Sequence, residues 1–152
     1  MADNDKLHYE QDYPLSEKRR DLITTSKDRS IDDITLDAVM EGEIEADEIR
    51  VTPEILEYQA QIAESIGRPQ LAANMRRAAE LTAVPDDRIL EIYNTLRPDR
   101  ATKDELLEIA DELEKEYDAH INAELIREAA DVYETRGRLK ASEEEKDESE
   151  PA

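Results

Sequence analysis

The sequence contains no cysteine, no tryptophan and no phenylalanine, and only three glycines in 152 residues. Without cysteine there is no disulfide, no thiol nucleophile and no thiolate metal site. That usage is the one expected of a cytoplasmic protein. Without two of the large aromatic core-fillers, and with hydrophobic residues at 38%, little apolar area is at hand to offset chain entropy. A core this sparse is expected to lean on a partner. The opening MADNDKLHYEQ (1–11) has no apolar stretch of the secretory kind, and no run is long enough to span a bilayer.

Positive charge is scarce too. Twenty Lys and Arg stand against 41 Asp and Glu, a net charge of −21. Nucleic-acid binding needs clustered cations to neutralise phosphates, so this balance argues against it. Anionic membrane surfaces are disfavoured for the same reason. Of the 20 basic residues 13 are arginine, and with the acid excess this suggests a salt-rich cytoplasm. Self-repulsion screened by salt would then raise the melting temperature in molar salt.

What the chain does carry is helical punctuation. Ser30 with Asp33 three residues on reads as a capping box opening a helix that runs to Gly42. Thr52 followed by Pro53 is a second start, ending at Gly67, with an apolar stripe of Ile55, Gln59, Ile62 and Ile66 widened by Leu56, Ala60 and Ala63. Pro69 opens a third helix carrying Leu71, Met75, Ala78 and Ala79. Behind Pro85 the face is Ile89, Ile92, Tyr93 and Leu96; after the capping box Thr102–Glu105 it is Leu106, Ile109, Ala110, Leu113 and Tyr117. The last helix, roughly 118–138, shows Ile121, Leu125, Ala129 and Val132, with Tyr133 beside them. No segment alternates in the manner of a strand, and no internal repeat is evident. The reading is all-α, five to six helices: an irregular N-terminal arm over 1–29, a helical domain over 30–140, and a like-charged acidic tail over 141–152 that is expected to be disordered.

Chemistry is harder to find. Asp86-Asp87-Arg88 directly follows Pro85, where acids in a first turn meet unpaired backbone N–H groups and the positive helix end. A general acid–base pair would need burial or a like charge to separate two pKa values, and nothing apolar encloses these. Helix capping is the better reading. His8 and His120 have no second ligand at a metal-binding spacing. The acidic runs Asp32-Asp33, 43–48 and 143–145 lack the D-x-D-x-D-G calcium pattern. There is no glycine-rich phosphate loop and no nucleophile elbow, so no catalytic, metal or cofactor-binding residue is expected in this chain.

One stretch departs from the acidic background. Residues 68–100 hold six arginines (Arg68, Arg76, Arg77, Arg88, Arg97, Arg100) against five acids (Glu80, Asp86, Asp87, Glu91, Asp99), a net charge of +1. These arginines either serve contact with another protein or pair with acids on neighbouring helices. The candidate partner-facing residues are Tyr13, Arg76, Arg77, Arg88, Tyr93 and Arg97.

The segments DYPL (12–15), DDITLDAVMEGEI (32–44), ADEIRVTPEILEYQAQIAE (46–64), RRAAELTAVPDDRILEIYNTLRP (76–98), ELLEIADELE (105–114) and IREAADVYETRGRLK (126–140) carry a resemblance. The chain resembles the small (gamma) subunit of adenosylcobalamin-dependent diol and glycerol dehydratases. That resemblance implies an open bundle of three up-and-down helices with shorter helices and an irregular N-terminal part. It further implies a hetero-oligomer with a large TIM-barrel subunit and a medium subunit, two copies of each chain. Adenosylcobalamin would be bound by the other subunits, which turn 1,2-diols into aldehydes and water by a radical route. This chain would be non-catalytic and support assembly through the 52–100 helices and the arm. The acidic MADNDKLHYE start makes a poor amphipathic targeting helix, which argues against packaging in a protein-shelled compartment. The competing expectation is a freestanding acidic helical adaptor for some other protein.

Overall fold

The structure, a computed structural model, describes residues 6–141. Among these residues all regular structure is helical, apart from one isolated bridge between Thr24 and Ser30, so the all-α class stands. No helix among them is long and apolar enough to cross a membrane. The tail from Ser142 onward lies outside the described residues. By its internal packing the chain divides after Thr82 into two compact units.

The first unit opens with two short helices, α1 (Tyr9–Asp12) and α2 (Leu15–Lys18). Three-residue 3₁₀ turns at Arg20–Leu22 and Ile31–Asp33, helix α3 (Leu36–Met40) and a further turn at Ala46–Ile49 follow. The unit closes with the helix pair α4 (Pro53–Ser65) and α5 (Pro69–Leu81). The Thr52 hydroxyl accepts from the Ile55 amide, and Pro53 stands at the first position, where no N–H is required. Gly67 takes φ 72°, a left-handed turn that a side chain would resist. Only residues 66–68 then separate α4 from α5, and the two pack through Ala60, Ala63 and Ala72 with Met75 beside them. Alanines at the contact let the two backbones approach closely.

Two expectations change here. The arm is irregular, yet residues 6–23 fold back on α4. Leu7, Leu15 and Ile62 form a buried cluster flanked by Leu22, Ile23 and Tyr58. Leu7 donates its amide to Gln61 Oε1 at 3.1 Å, and Tyr9 donates to Ser65 Oγ at 3.0 Å. The second change concerns the helix expected from Ser30. Ser30 caps only the turn Ile31–Asp33, accepting from the Asp32 amide, while Thr35 accepts from Ala38 and starts α3. Two competing caps five residues apart leave room for a single turn between them.

The second unit is a run of three helices, α6 (Asp86–Thr95), α7 (Lys103–Tyr117) and α8 (His120–Thr135). Thr102 and Glu105 make both bonds of the expected capping box on α7. Its stripe of Leu106, Ile109, Ala110 and Leu113 is buried. On α8 the buried face is Ala123, Ile126 and Ala130, with Asn122. The stripe read from sequence is not this one: Ile121, Leu125 and Val132 are exposed. The two faces lie roughly a third of a turn apart, and the alanine face admits the bulky leucines of α7, which the larger side chains would hold off. Arg88 Nε of α6 donates to Glu112 of α7 at 2.8 Å, and the Tyr133 hydroxyl of α8 donates to the Leu96 carbonyl at 2.7 Å. Behind α8 the chain returns along 99–101: Asp99 donates to the Arg138 carbonyl and Lys140 to that of Ala101.

Candidate functional site

Asp86 and Asp87 occupy the first turn of α6, and Asp87 Oδ1 accepts from the Arg88 amide at 2.9 Å. The Arg88 guanidinium turns elsewhere, to Glu112 and to Glu91 at 2.9 Å. Its charge, through that bond to Glu112, holds the Glu112 carboxyl below the usual glutamate range. The triplet is a helix start plus an interhelical ion pair.

Arg76 is committed in the same manner within the first unit. Its Nε donates to Glu57 at 2.9 Å and its Nη2 to Glu64 at 3.1 Å, clamping α5 to α4. Bonded to this guanidinium, both carboxyls are held below their ordinary values. Arg76 and Arg88 thus both pair with acids on neighbouring helices. Arg77 reaches Asn74 on its own helix.

The remaining candidates face outward. Tyr93 is 67% exposed, one helical turn from the equally open Leu90, and Arg97 is exposed just beyond the end of α6. In the first unit Tyr13 stacks on Tyr9 with ring centroids 5.0 Å apart. Both rings stand at an open groove of about 390 Å³ whose floor includes Ile62, Ala63 and Met75. Tyr13, Arg76 and Arg77 belong to the first unit, and Arg88, Tyr93 and Arg97 to the second.

Sequence reasoning missed a clasp in the first unit. The side chain of Glu48 is fully buried, accepting from Arg29 Nε at 2.8 Å and Thr25 Oγ1 at 3.2 Å, with Lys27 Nζ at 3.7 Å. The Arg29 guanidinium, bonded to it, holds the Glu48 carboxyl below the usual glutamate range. Arg29 also donates to the Glu43 carbonyl at 3.2 Å. In the acidic run 43–48 no local signal separates Glu48 from its neighbours. Its partners lie some twenty positions upstream. Ala38 and Ile44 are buried beneath the clasped segment, while Leu36, Val39 and Met40 project from it.

The histidines hold no ligand set. His120 stands between Asp118 at 2.7 Å and Glu114 at 3.3 Å, whose hydrogen bonds raise its pKa, and His8 is exposed on the arm. Among the described residues no group of three or more His, Cys, Asp and Glu is gathered to hold a metal ion.

The model of the dehydratase small-subunit family matches residues 8–140. The propanediol dehydratase small subunit of Citrobacter freundii is 54% identical over 129 residues, covering 85% of this chain and 75% of that protein. The propanediol dehydratase small subunit of Salmonella typhimurium aligns to the same extent, at 54% identity over 129 residues.

Proposed function

The chain belongs to the dehydratase small-subunit family, and we propose on that premise that it is the small subunit of a propanediol dehydratase. The observation that carries this reading is 54% identity over 85% of the chain to two propanediol dehydratase small subunits. On this reading it assembles with a large TIM-barrel subunit and a medium subunit, two copies of each, and helps hold them together. The complex acts on 1,2-diols of the propanediol and glycerol class, and the site of dehydration lies in the other chains.

Adenosylcobalamin, which supplies the radical when bound, belongs with those chains as well. The histidines here do not fit a corrinoid: His120 is held between two carboxylates, and His8 is exposed on the arm. No step is therefore assigned to this chain's side chains. A cysteine-free sequence fits a cytoplasmic complex.

Affinity purification of the tagged chain from its own cells, followed by a diol dehydratase assay with added adenosylcobalamin, tests the proposal. Co-elution of a large and a medium subunit with aldehyde-forming activity is expected. Recovery of the chain alone, or with proteins of another enzyme, overturns it in favour of the freestanding adaptor.

A further inference from the structure

Among the described residues of the first unit the two most open large apolar side chains, Leu36 and Met40, flank Val39 on the capped helix α3. Leu36 and Met40 are 76% and 78% exposed, and Val39 is 45% exposed. At i, i+3 and i+4 they share one face of α3. Ala38, on the opposite side, is buried together with Ile44. This division of faces anchors the helix from below and points the three large residues at solvent. The Glu48 clasp to Arg29, Thr25 and Lys27 ties the downstream end of the segment to the chain preceding it. The triad is thus presented on a fixed loop, so little ordering entropy remains to be lost on binding.

Its electrostatic surroundings narrow the choice of occupant. Of the eight acids between residues 31 and 51, Asp32, Glu45, Asp47 and Glu48 pair with Arg20, Lys27, Arg50 and Arg29. Asp33, Asp37, Glu41 and Glu43 are exposed around the triad. A second copy of this chain would bring an equally acidic face against it, and like charges at an interface are repulsive. The complementary surface has an apolar socket rimmed with lysine and arginine.

We infer that Leu36, Val39 and Met40 form a docking knob for an apolar, basic-rimmed socket on another subunit of the dehydratase. This rests on the small-subunit reading and places a contact outside the arginine-rich 68–100 segment, where Arg76 and Arg88 also pair with acids of their own chain. Apolar side chains at the centre of such a contact carry most of the binding energy, and the acids at its edge govern encounter and salt dependence.

The test uses the full chain co-expressed with the other dehydratase subunits. The double variant Leu36→Ser/Met40→Ser removes only exposed side chains and should keep the helical circular dichroism and melting of the free chain. Its affinity for the other subunits should fall about tenfold or more. Charge reversal by Asp37→Lys/Glu41→Lys should weaken binding chiefly at low salt. A double variant that retains the other subunits at wild-type affinity overturns the docking knob while leaving the subunit reading intact. A wild-type chain that retains none of them overturns the subunit reading itself. A wild-type chain that self-associates through a contact abolished in the double variant assigns the knob to a homodimer and overturns the proposal.

Discussion

Helices α7 and α8 are neighbours in sequence and partners in space, yet they use their apolar residues in opposite ways. On α7 the stripe of large residues at helical spacing is the buried one, with Leu106 at 0% and Leu113 at 1% exposure. On α8 the comparable stripe points outward, and a second face built on Ala123, Ile126 and Ala130 meets α7. Periodicity reports that a face is apolar. Which of two apolar faces a neighbour takes is decided by volume: long side chains on one helix select small ones on the other.

Cavity-forming substitutions break the comparison most strongly. Leu113→Ala should destabilise the free chain by about 2–5 kcal/mol, and Leu125→Ala on the outward stripe of α8 by no more than about 0.5 kcal/mol. Equal losses in urea unfolding would mean that both stripes are buried. Overpacking sharpens the point from the other side. Ala130→Leu should lose about 1–3 kcal/mol, whereas Glu128→Leu, at an exposed position two residues earlier, should lose no more than about 0.5 kcal/mol by the same measurement.

The helix starts differ as well. The capping box makes Thr102→Ala on α7 worth about 1 kcal/mol, while Ala119 makes no side-chain cap for α8. What α8 has instead is His120 between Asp118 and Glu114, which raise its pKa above 6.5. A raised histidine pKa contributes stability that is fully present below the unfolded value of 6.5 and is lost as pH rises through the folded one. The melting temperature should therefore fall slightly as pH climbs from 6.5 through the folded pKa, and His120→Gln should flatten that slope. A slope unchanged in the variant would place its origin elsewhere.

Much of this was legible in the residues, for a local reason. Thr52 and the Thr102–Glu105 pair mark helix starts through bonds made within one turn, and Pro53, Pro69 and the acids behind Pro85 mark them through fixed backbone angle and charge in the first turn. The parts that were not legible depend on distant partners. Leu7, Leu15, Leu22 and Ile23 share no single period because the chain bends between them, and their common target on α4 lies about forty to fifty residues away. The Glu48 clasp is invisible in an acidic run for the same reason. The arginines show the limit most plainly. Their excess in 68–100 was evident, but only the packing of α4 with α5 and of α6 with α7 shows that Arg76 and Arg88 are held internally.

Hydrogen exchange of the full chain, compared between the free protein and its complex with the other dehydratase subunits, tests the central claim most directly. Amides of 31–51 should exchange more slowly in the complex, most of all around Leu36–Met40. Unchanged exchange across that segment, in a complex shown to contain all three subunits, would contradict it.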